Sequence, residues 1–207
     1  MTKRIFAQVV AVILGTAMLF QVGCAGRSSS SRFYVLSSVI DPIAVEKSIP
    51  GISNDITISI SPVSLPKYLK KSQIVTRTGS NELHLAEYDR WAGKIEEDIG
   101  RVIAENLSHI LSTDKVLPYP SIDVMSTDYK IKMDISRFDG RLGGDIELIV
   151  RWVVFDAEEN TVYGVKTSHI IEPAKGSGYA DMVAAQSRAL AVFSGELADV
   201  IKELAGS

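Results

Sequence analysis

Two different spacings of apolar residues divide this chain into strands and helices. Between residues 129 and 136 every second side chain is apolar, which predicts a strand with one buried face. Between residues 91 and 111 apolar side chains recur every three or four positions, which predicts an amphipathic helix. A chain with both patterns has to bury strands against helices, so the two spacings together favour an α+β fold.

The strand pattern, or a short apolar run bounded by turn residues, recurs elsewhere. The further segments are 33–36, 56–61, 73–77, 82–86, 116–120 and 162–171. The residues between 77 and 82 include Gly79 and Asn81, which suit a tight turn and predict a β-hairpin. In the run 146–155 apolar residues occupy even-numbered and odd-numbered positions alike. Both faces of the strand would then be apolar, which predicts a central strand covered on both faces.

Two long helices complete the prediction. The first is expected to begin at Asp89 as its N-cap and to end at Leu111, and the second to run from Tyr179 to the C-terminus. Trp91 and Trp152 are predicted to be core residues. The expected architecture of residues 33–207 is therefore a single α+β domain, in which a mostly antiparallel sheet carries two amphipathic helices.

The first 23 residues have a different composition from the rest. Lys3 and Arg4 precede an apolar stretch from 5 to 20. As a helix this stretch would rise about 24 Å, less than the roughly 30 Å of a hydrocarbon core. Residues 1–23 therefore resemble a secretory signal peptide rather than a permanent span.

The single cysteine of the chain follows this segment directly. Cys24 comes after Gln21, Val22 and Gly23, which resembles the lipobox of bacterial lipoproteins, so we expect Cys24 to be lipidated. An unpaired thiol is a liability in an oxidising compartment, and a thioether removes it. An ordinary thiol beside a signal peptide that is simply cut, or an uncleaved anchor, remain the alternatives. Ala25, where lipoproteins of this kind retained in the inner membrane carry Asp, points to the outer membrane.

Residues 24–32 are small and polar and are expected to form the lipidated N-terminus and a flexible tether.

The whole chain has a net charge of −3, and removal of residues 1–23 takes away two basic side chains and no acidic one. This balance provides no basic patch for nucleic acid. An acidic chain on an anionic bilayer is expected to need its lipid.

A search for catalytic and metal-binding patterns gives none. His84, His109 and His169 stand in no spacing that brings metal ligands together, and no nucleotide-binding or nucleophile motif is present. The adjacent pair Glu96 and Glu97 would point apart on a helix, so a solvated face is the simpler interpretation. We therefore predict no catalytic residue, no metal, no cofactor and no enzyme activity.

Two exposed features remain as candidate partner-binding sites. Tyr68 and Leu69 lie in a loop after Pro66 and beside several lysines, where either local packing or a partner contact explains them. Tyr34 and Leu36 lie in the first strand, next to the tether, and an edge strand can pair with another chain.

Several spaced blocks resemble the ABC-type transport auxiliary lipoproteins, the family that includes paraquat-inducible protein C. The resemblance covers nearly the whole chain after the tether and is most specific between Ile60 and Trp91. The blocks are Tyr34-Val35-Leu36, Ile60-Ser61-Pro62-Val63-Ser64-Leu65-Pro66 with Tyr68-Leu69, Gln73-Ile74-Val75-Thr76-Arg77, Asn81-Glu82-Leu83, Glu87-Tyr88-Asp89-Arg90-Trp91-Ala92, and Ile135-Ser136-Arg137-Phe138-Asp139-Gly140 with Trp152.

This resemblance implies an outer-membrane lipoprotein that faces the periplasm and supports membrane integrity. It implies as partners an MCE-domain protein and an inner-membrane permease, which together move lipids or other hydrophobic molecules across the envelope, with a homo-oligomeric ring as one possible assembly. A second hypothesis is a carrier that holds a hydrophobic ligand between its helices and sheet. The third and least favoured is an envelope hydrolase.

Overall fold

A computed structural model describes residues 30–39, 56–120, 126–156 and 162–206. The predicted signal peptide, Cys24 and most of the predicted tether lie outside these ranges. Ser31–Ser207 form one compact unit. Its strands are β1 (Arg32–Tyr34), β2 (Ile58–Ile60), β3 (Gln73–Arg77), β4 (Leu83–Trp91), β5 (Val116–Pro118), β6 (Tyr129–Gly140), β7 (Asp145–Asp156) and β8 (Val162–Pro173), and its helices are α1 (Ile95–Leu111) and α2 (Tyr179–Ala205).

The larger sheet has five strands in the order β5-β2-β6-β7-β8. Strands β6, β7 and β8 form an antiparallel meander, as the alternating segments predict. Strand β2 lies parallel to both of its neighbours, β5 and β6. Strand β6 ends at Gly140, where the chain turns back toward β7. The backbone approaches so closely there that a Cβ on residue 140 would collide with the carbonyl oxygen of Asp145.

The smaller sheet has three strands in the order β1-β4-β3. The predicted hairpin is confirmed as the antiparallel pair β3 and β4, and the Thr78 amide donates to the Glu82 carbonyl across its turn over 3.2 Å. Strand β1 adds to the free edge of β4 in parallel, so that Phe33 lies opposite Arg90 and Tyr34 opposite Trp91. Both sheets are thus mixed, and the expectation of a mostly antiparallel sheet is only partly right.

The parallel pairs have a simple cause. Strands β1 and β2 are each only three residues long, and neither is joined to its neighbour by a hairpin turn. Each pairs with strands that are distant in the sequence. Such long connections permit parallel pairing, whereas a two-residue turn permits only antiparallel pairing.

Both predicted helices are present, and the first is shorter than expected. Helix α1 begins at Ile95, because Asp89 and Trp91 belong to β4 and Lys94 still has extended backbone angles. Asp89 is therefore not an N-cap. Three acidic residues occupy the first turn of α1, where the helix dipole favours negative charge. The helix ends at Leu111, and Ser112 caps it with a left-handed φ of 52°.

The core lies between the five-stranded sheet and the two helices. Phe193 of α2 is fully buried and meets Trp152 of β7 edge to face, with the ring centroids 6.0 Å apart, a geometry that aromatic pairs favour. The burial predicted for both tryptophans is confirmed, since Trp91 is 7% exposed and Trp152 3%. Buried members of α1 and α2 include Ile99, Ile103, Leu107, Leu190, Leu197 and Ile201.

Among the residues that the structure describes, strand β7 is covered fully on one face only, which differs from the predicted cover on both faces. Leu148 and Val150 face the helices and are fully buried, whereas Ile149, Val153 and Phe155 are half-buried on the opposite face. Both helices pack on the same side of this sheet. The apolar residues at the odd-numbered positions of β7 therefore lie on a half-covered face, and no second layer packs on it within the described ranges.

Candidate functional site

Two buried carboxylates organise the residues that the sequence singled out. Asp89 of β4 is 4% exposed and Asp139 of β6 is fully buried. A buried charge is costly unless it is paired and hydrogen-bonded. Each of these carboxylates gathers a tyrosine and at least one arginine from another part of the sequence.

The Asp89 carboxylate fixes β1 to the rest of the domain. Tyr34 donates its hydroxyl to Oδ1 over 2.7 Å, and Arg32 donates Nη2 to Oδ2 over 2.9 Å. Burial, followed by the hydrogen bond to Asp89, raises the pKa of Tyr34. The Tyr34 side chain is thus directed toward its own domain.

Leu36 lies in the core, and the segment around it runs across the helices. Leu36 is 1% exposed. Its amide donates to Oδ2 of Asp98 in α1 over 2.7 Å, and its carbonyl accepts from Nη2 of Arg101 over 2.7 Å. The Ser37 amide then donates to Oγ of Ser187 in α2 over 3.2 Å. Residues 36–37 therefore tie β1 to both helices.

The Asp139 carboxylate joins the two sheets. Arg77 at the end of β3 donates Nε to Oδ1 over 2.6 Å and Nη2 to Oδ2 over 3.3 Å. Tyr68 donates its hydroxyl to Oδ2 over 2.9 Å, and Arg137 donates Nε to Oδ1 over 3.3 Å. Burial raises the pKa of Tyr68, and the bond to Asp139 raises it further.

Tyr68 and Leu69 hold their loop against the domain. Leu69 is 6% exposed, and its amide donates to the Pro66 carbonyl over 3.0 Å. The neighbouring Lys67, Lys70 and Lys71 are all exposed. Leu69 is thus buried and Tyr68 half-buried, which shows the local packing that the sequence left open, and the fully exposed side chains beside them are the three lysines.

A polar cleft of about 420 Å³ opens beside Asp139, between the two hairpin turns. Arg77, Arg137, Arg141, Asp145 and Glu147 contribute both signs of charge to its wall. Arg137 Nη1 lies 2.6 Å from Glu147 Oε2. Arg77 and Arg137 also meet the buried Asp139, so the arginines on that side of the cleft are paired with carboxylates.

The histidines stay apart in the structure. His84 and His169 are exposed and His109 is half-buried. His169 Nε2 lies 3.4 Å from Glu147 Oε2. Within the described ranges, no group of three or more His, Cys, Asp or Glu side chains is placed to hold a metal ion, and no helix is long and apolar enough to span a membrane.

The structure brings several of the spaced sequence blocks together. Tyr68, Arg77, Arg137 and Asp139 come from three of them and meet at one carboxylate, and Tyr34 and Asp89 come from two more. Sequence reasoning named Tyr34 and Tyr68 but missed the two aspartates they bind. One feature of the sequence could have indicated the buried carboxylate of Asp139. This acidic residue directly follows the apolar Phe138 in the segment that forms β6.

Comparisons with known proteins agree with this architecture. A family model described as the ABC-type transport auxiliary lipoprotein component matches residues 34–198. A comparison with curated proteins gives no match.

Two solved structures share the fold. An uncharacterised protein is 18% identical with a TM-score of 0.67, and the alignment covers 84% of this chain and 99% of that one. A protein from Xanthomonas campestris is 16% identical with a TM-score of 0.67, covering 84% and 97%. At these identities the likeness establishes the fold alone.

Proposed function

The chain belongs to the ABC-type transport auxiliary lipoprotein family, and from that membership we propose that it is a non-catalytic subunit of an envelope-spanning transport system. Its partners in this proposal are a periplasmic MCE-domain protein and an inner-membrane permease, and the cargo is a lipid or another hydrophobic molecule. The observation that carries the proposal is the family match across residues 34–198, together with the shared fold.

The proposed location is the periplasmic face of the outer membrane, with Cys24 as the lipidated residue. The single cysteine at the end of an apolar N-terminal segment supports this, as does Ala25 after it. Several acyl chains together hold a protein on a bilayer far more firmly than one chain does.

For the partner contact, we propose the exposed side of the 66–71 loop. Its lysines Lys67, Lys70 and Lys71 project to solvent, while Tyr68 and Leu69 fix the loop from inside. Charged groups of this kind steer an encounter with a partner of opposite charge. The partner surface is accordingly expected to be acidic.

A homo-oligomeric ring forms part of the same proposal. Strand β8 is twelve residues long and lies at an edge of the larger sheet. A long edge strand presents backbone groups to which another chain can add. Repeated pairing of one protomer with the next at such edges would surround the end of a single partner.

The carrier hypothesis loses the observation on which it was based. The apolar stripes of α1 and α2 are buried against the sheet, and a cavity of about 10 Å³ lies among Leu65, Val75, Trp91 and Phe138. A cavity of that size has room for about one water molecule. The described core offers no space there for an acyl chain.

Affinity purification of the full chain from detergent-solubilised membranes tests the proposed role. We expect an MCE-domain protein to be recovered with it, and a variant with Lys67→Glu and Lys71→Glu to recover less. A matched variant with Lys130→Glu and Lys175→Glu reverses as many exposed charges on other elements and should recover the partner normally. A folded chain from which no envelope protein is ever recovered would disprove the role, and equal loss with both pairs would disprove the surface.

A further inference from the structure

One exposed apolar patch lies beside the point where the tether enters the domain. Phe33 is 65% exposed, Val35 54% and Tyr88 39%, and we call these three residues the tether-side patch. Tyr34 and Leu36, which alternate with Phe33 and Val35, face inward. The first strand thus has an inner side that packs and an outer side that presents large apolar groups to solvent.

A basic side chain accompanies this patch. Arg90 lies opposite Phe33 in the parallel register of β1 and β4, and Tyr88 lies two residues earlier on the same strand. Within the described ranges Arg90 makes no ion pair, and its buried Nε has no hydrogen-bond acceptor. Arg90 is half-buried, and the side chain of Arg32 at the start of β1 is 65% exposed while it pairs with Asp89. Apolar and aromatic groups flanked by arginines match an interface between acyl chains and anionic headgroups.

Chain length limits how far this patch can lie from the lipid. Only seven residues lie between Cys24 and Arg32, and the eight steps from one to the other span at most about 28 Å when fully extended. A domain of about 175 residues has a radius of gyration of about 16 Å, and hence a diameter of about 40 Å. Surfaces on the far side of such a domain cannot reach the anchoring bilayer, whereas β1 is always near it.

We propose that the tether-side patch rests on the lipid bilayer, with Phe33, Val35 and Tyr88 at the level of the headgroups and Arg90 at lipid phosphates. This inference depends on the proposed lipidation of Cys24. Lipid and patch together would fix which face of the domain points toward the periplasm. The lysine loop at 66–71 is then presented to a partner in a defined orientation.

Tryptophan quenching by lipids with brominated acyl chains tests the proposal on the full lipidated protein. The protein is reconstituted into vesicles of phosphatidylethanolamine and phosphatidylglycerol, and Phe33→Trp is compared with Val165→Trp. Val165 of β8 is also 65% exposed, so it is a matched control on the other sheet. The native Trp91 and Trp152 are buried, and their signal is subtracted with the unsubstituted chain.

We expect brominated lipids to reduce the emission from position 33 and to leave that from position 165 unchanged. Addition of Arg90→Gln should weaken the quenching at position 33 when the vesicles contain phosphatidylglycerol. No quenching at position 33, or equal quenching at both positions, would overturn the proposal. Blue-shifted emission at position 33 that is insensitive to bromine and lost on dilution would assign the patch to a second copy of the chain.

Vesicle flotation separates this inference from the one on which it rests. A chain that fails to float with the vesicles has no lipid anchor, and both proposals are then wrong. A chain that floats without quenching at position 33 is anchored through its lipid, and only the contact of the patch with the bilayer is then wrong.

Discussion

Arg77 donates its Nε to Oδ1 of Asp139 over 2.6 Å, and this contact joins the hairpin of the three-stranded sheet to the central meander of the five-stranded sheet. Both residues lie at the ends of their strands, β3 and β6. Asp139 is fully buried, and Arg77 Nη2 reaches its second oxygen. A planar guanidinium that meets both carboxylate oxygens fixes orientation as well as distance. The position of the Tyr68 loop therefore depends on a charge at the junction of the sheets.

Substitution of that carboxylate is expected to destabilise the domain. Asp139→Asn leaves Arg77 and Arg137 without the negative charge that they share, and removal of one member of a buried ion pair costs about 3–5 kcal/mol. The free energy of unfolding in urea measures this loss. Asp134→Asn, on an exposed position of the same strand, is the control and should change it by less than about 0.5 kcal/mol. Equal stability of the two variants would mean that the junction does not depend on Asp139.

The hydroxyl of Tyr68 should make stability depend on alkaline pH. Its pKa in the folded state is raised, chiefly by burial and then by Asp139, above the value of about 10 in an unfolded chain. The folded state therefore holds this proton more tightly, and the resulting stabilisation is complete below pH 10 and lost as the pH rises through the folded pKa.

The comparison that checks this uses Tyr68→Phe across the same pH range. At neutral pH the variant should be less stable, by about 1.5–3 kcal/mol for a lost bond to a charged acceptor. Above pH 10 the difference from the unsubstituted protein should shrink. Tyr119→Phe, at a side chain that is 53% exposed, is the control for ionisation of an exposed phenol. A constant difference at every pH would contradict the assigned cause.

The sequence predicted most elements of the fold because their patterns are local. The alternation at 129–136 and the helical spacing toward the C-terminus each need only neighbouring residues, and β6 and α2 agree with them. The start of α1 could not be found this way. Trp91 fits the helical spacing by coincidence, and its true pairing with Tyr34 is a contact between distant strands.

The candidate site was less predictable for the same reason. Tyr34 and Tyr68 stood out as exposed aromatic residues, but their orientation is set by Asp89 and Asp139, 55 and 71 residues away. No local pattern reports such a pair. The half-covered face of β7 was missed because cover depends on where both helices pack. The alternation of apolar residues along one strand does not determine that.

Gly140 is predicted to be intolerant of any side chain. A Cβ at this position would collide with the backbone of Asp145, which cannot move without opening the turn between β6 and β7. Gly140→Ala should therefore cost about 1–3 kcal/mol, as overpacking usually does. Gly93→Ala is the matched control, because nothing lies within 4 Å of its added methyl, and its effect should stay within about 0.5 kcal/mol. Thermal unfolding of both variants measures the contrast, and a neutral Gly140→Ala would mean that the turn is adjustable.

Replacement of the single cysteine should separate anchoring from folding. Cys24 lies before β1, and the buried core is formed by residues from Leu36 onward, so Cys24→Ala should leave the free energy of unfolding unchanged. Membrane retention should be lost, because each buried methylene of an acyl chain contributes about 0.8 kcal/mol of binding and the variant has no sulfur to acylate.

Fractionation of cell envelopes, with mass spectrometry of the N-terminal peptide, checks the loss of retention and of acylation. Ser28→Ala, four residues later in the same segment, should remain acylated and membrane-bound. A Cys24→Ala chain that stays in the membrane with residues 1–23 still attached would show that the apolar segment itself is the anchor.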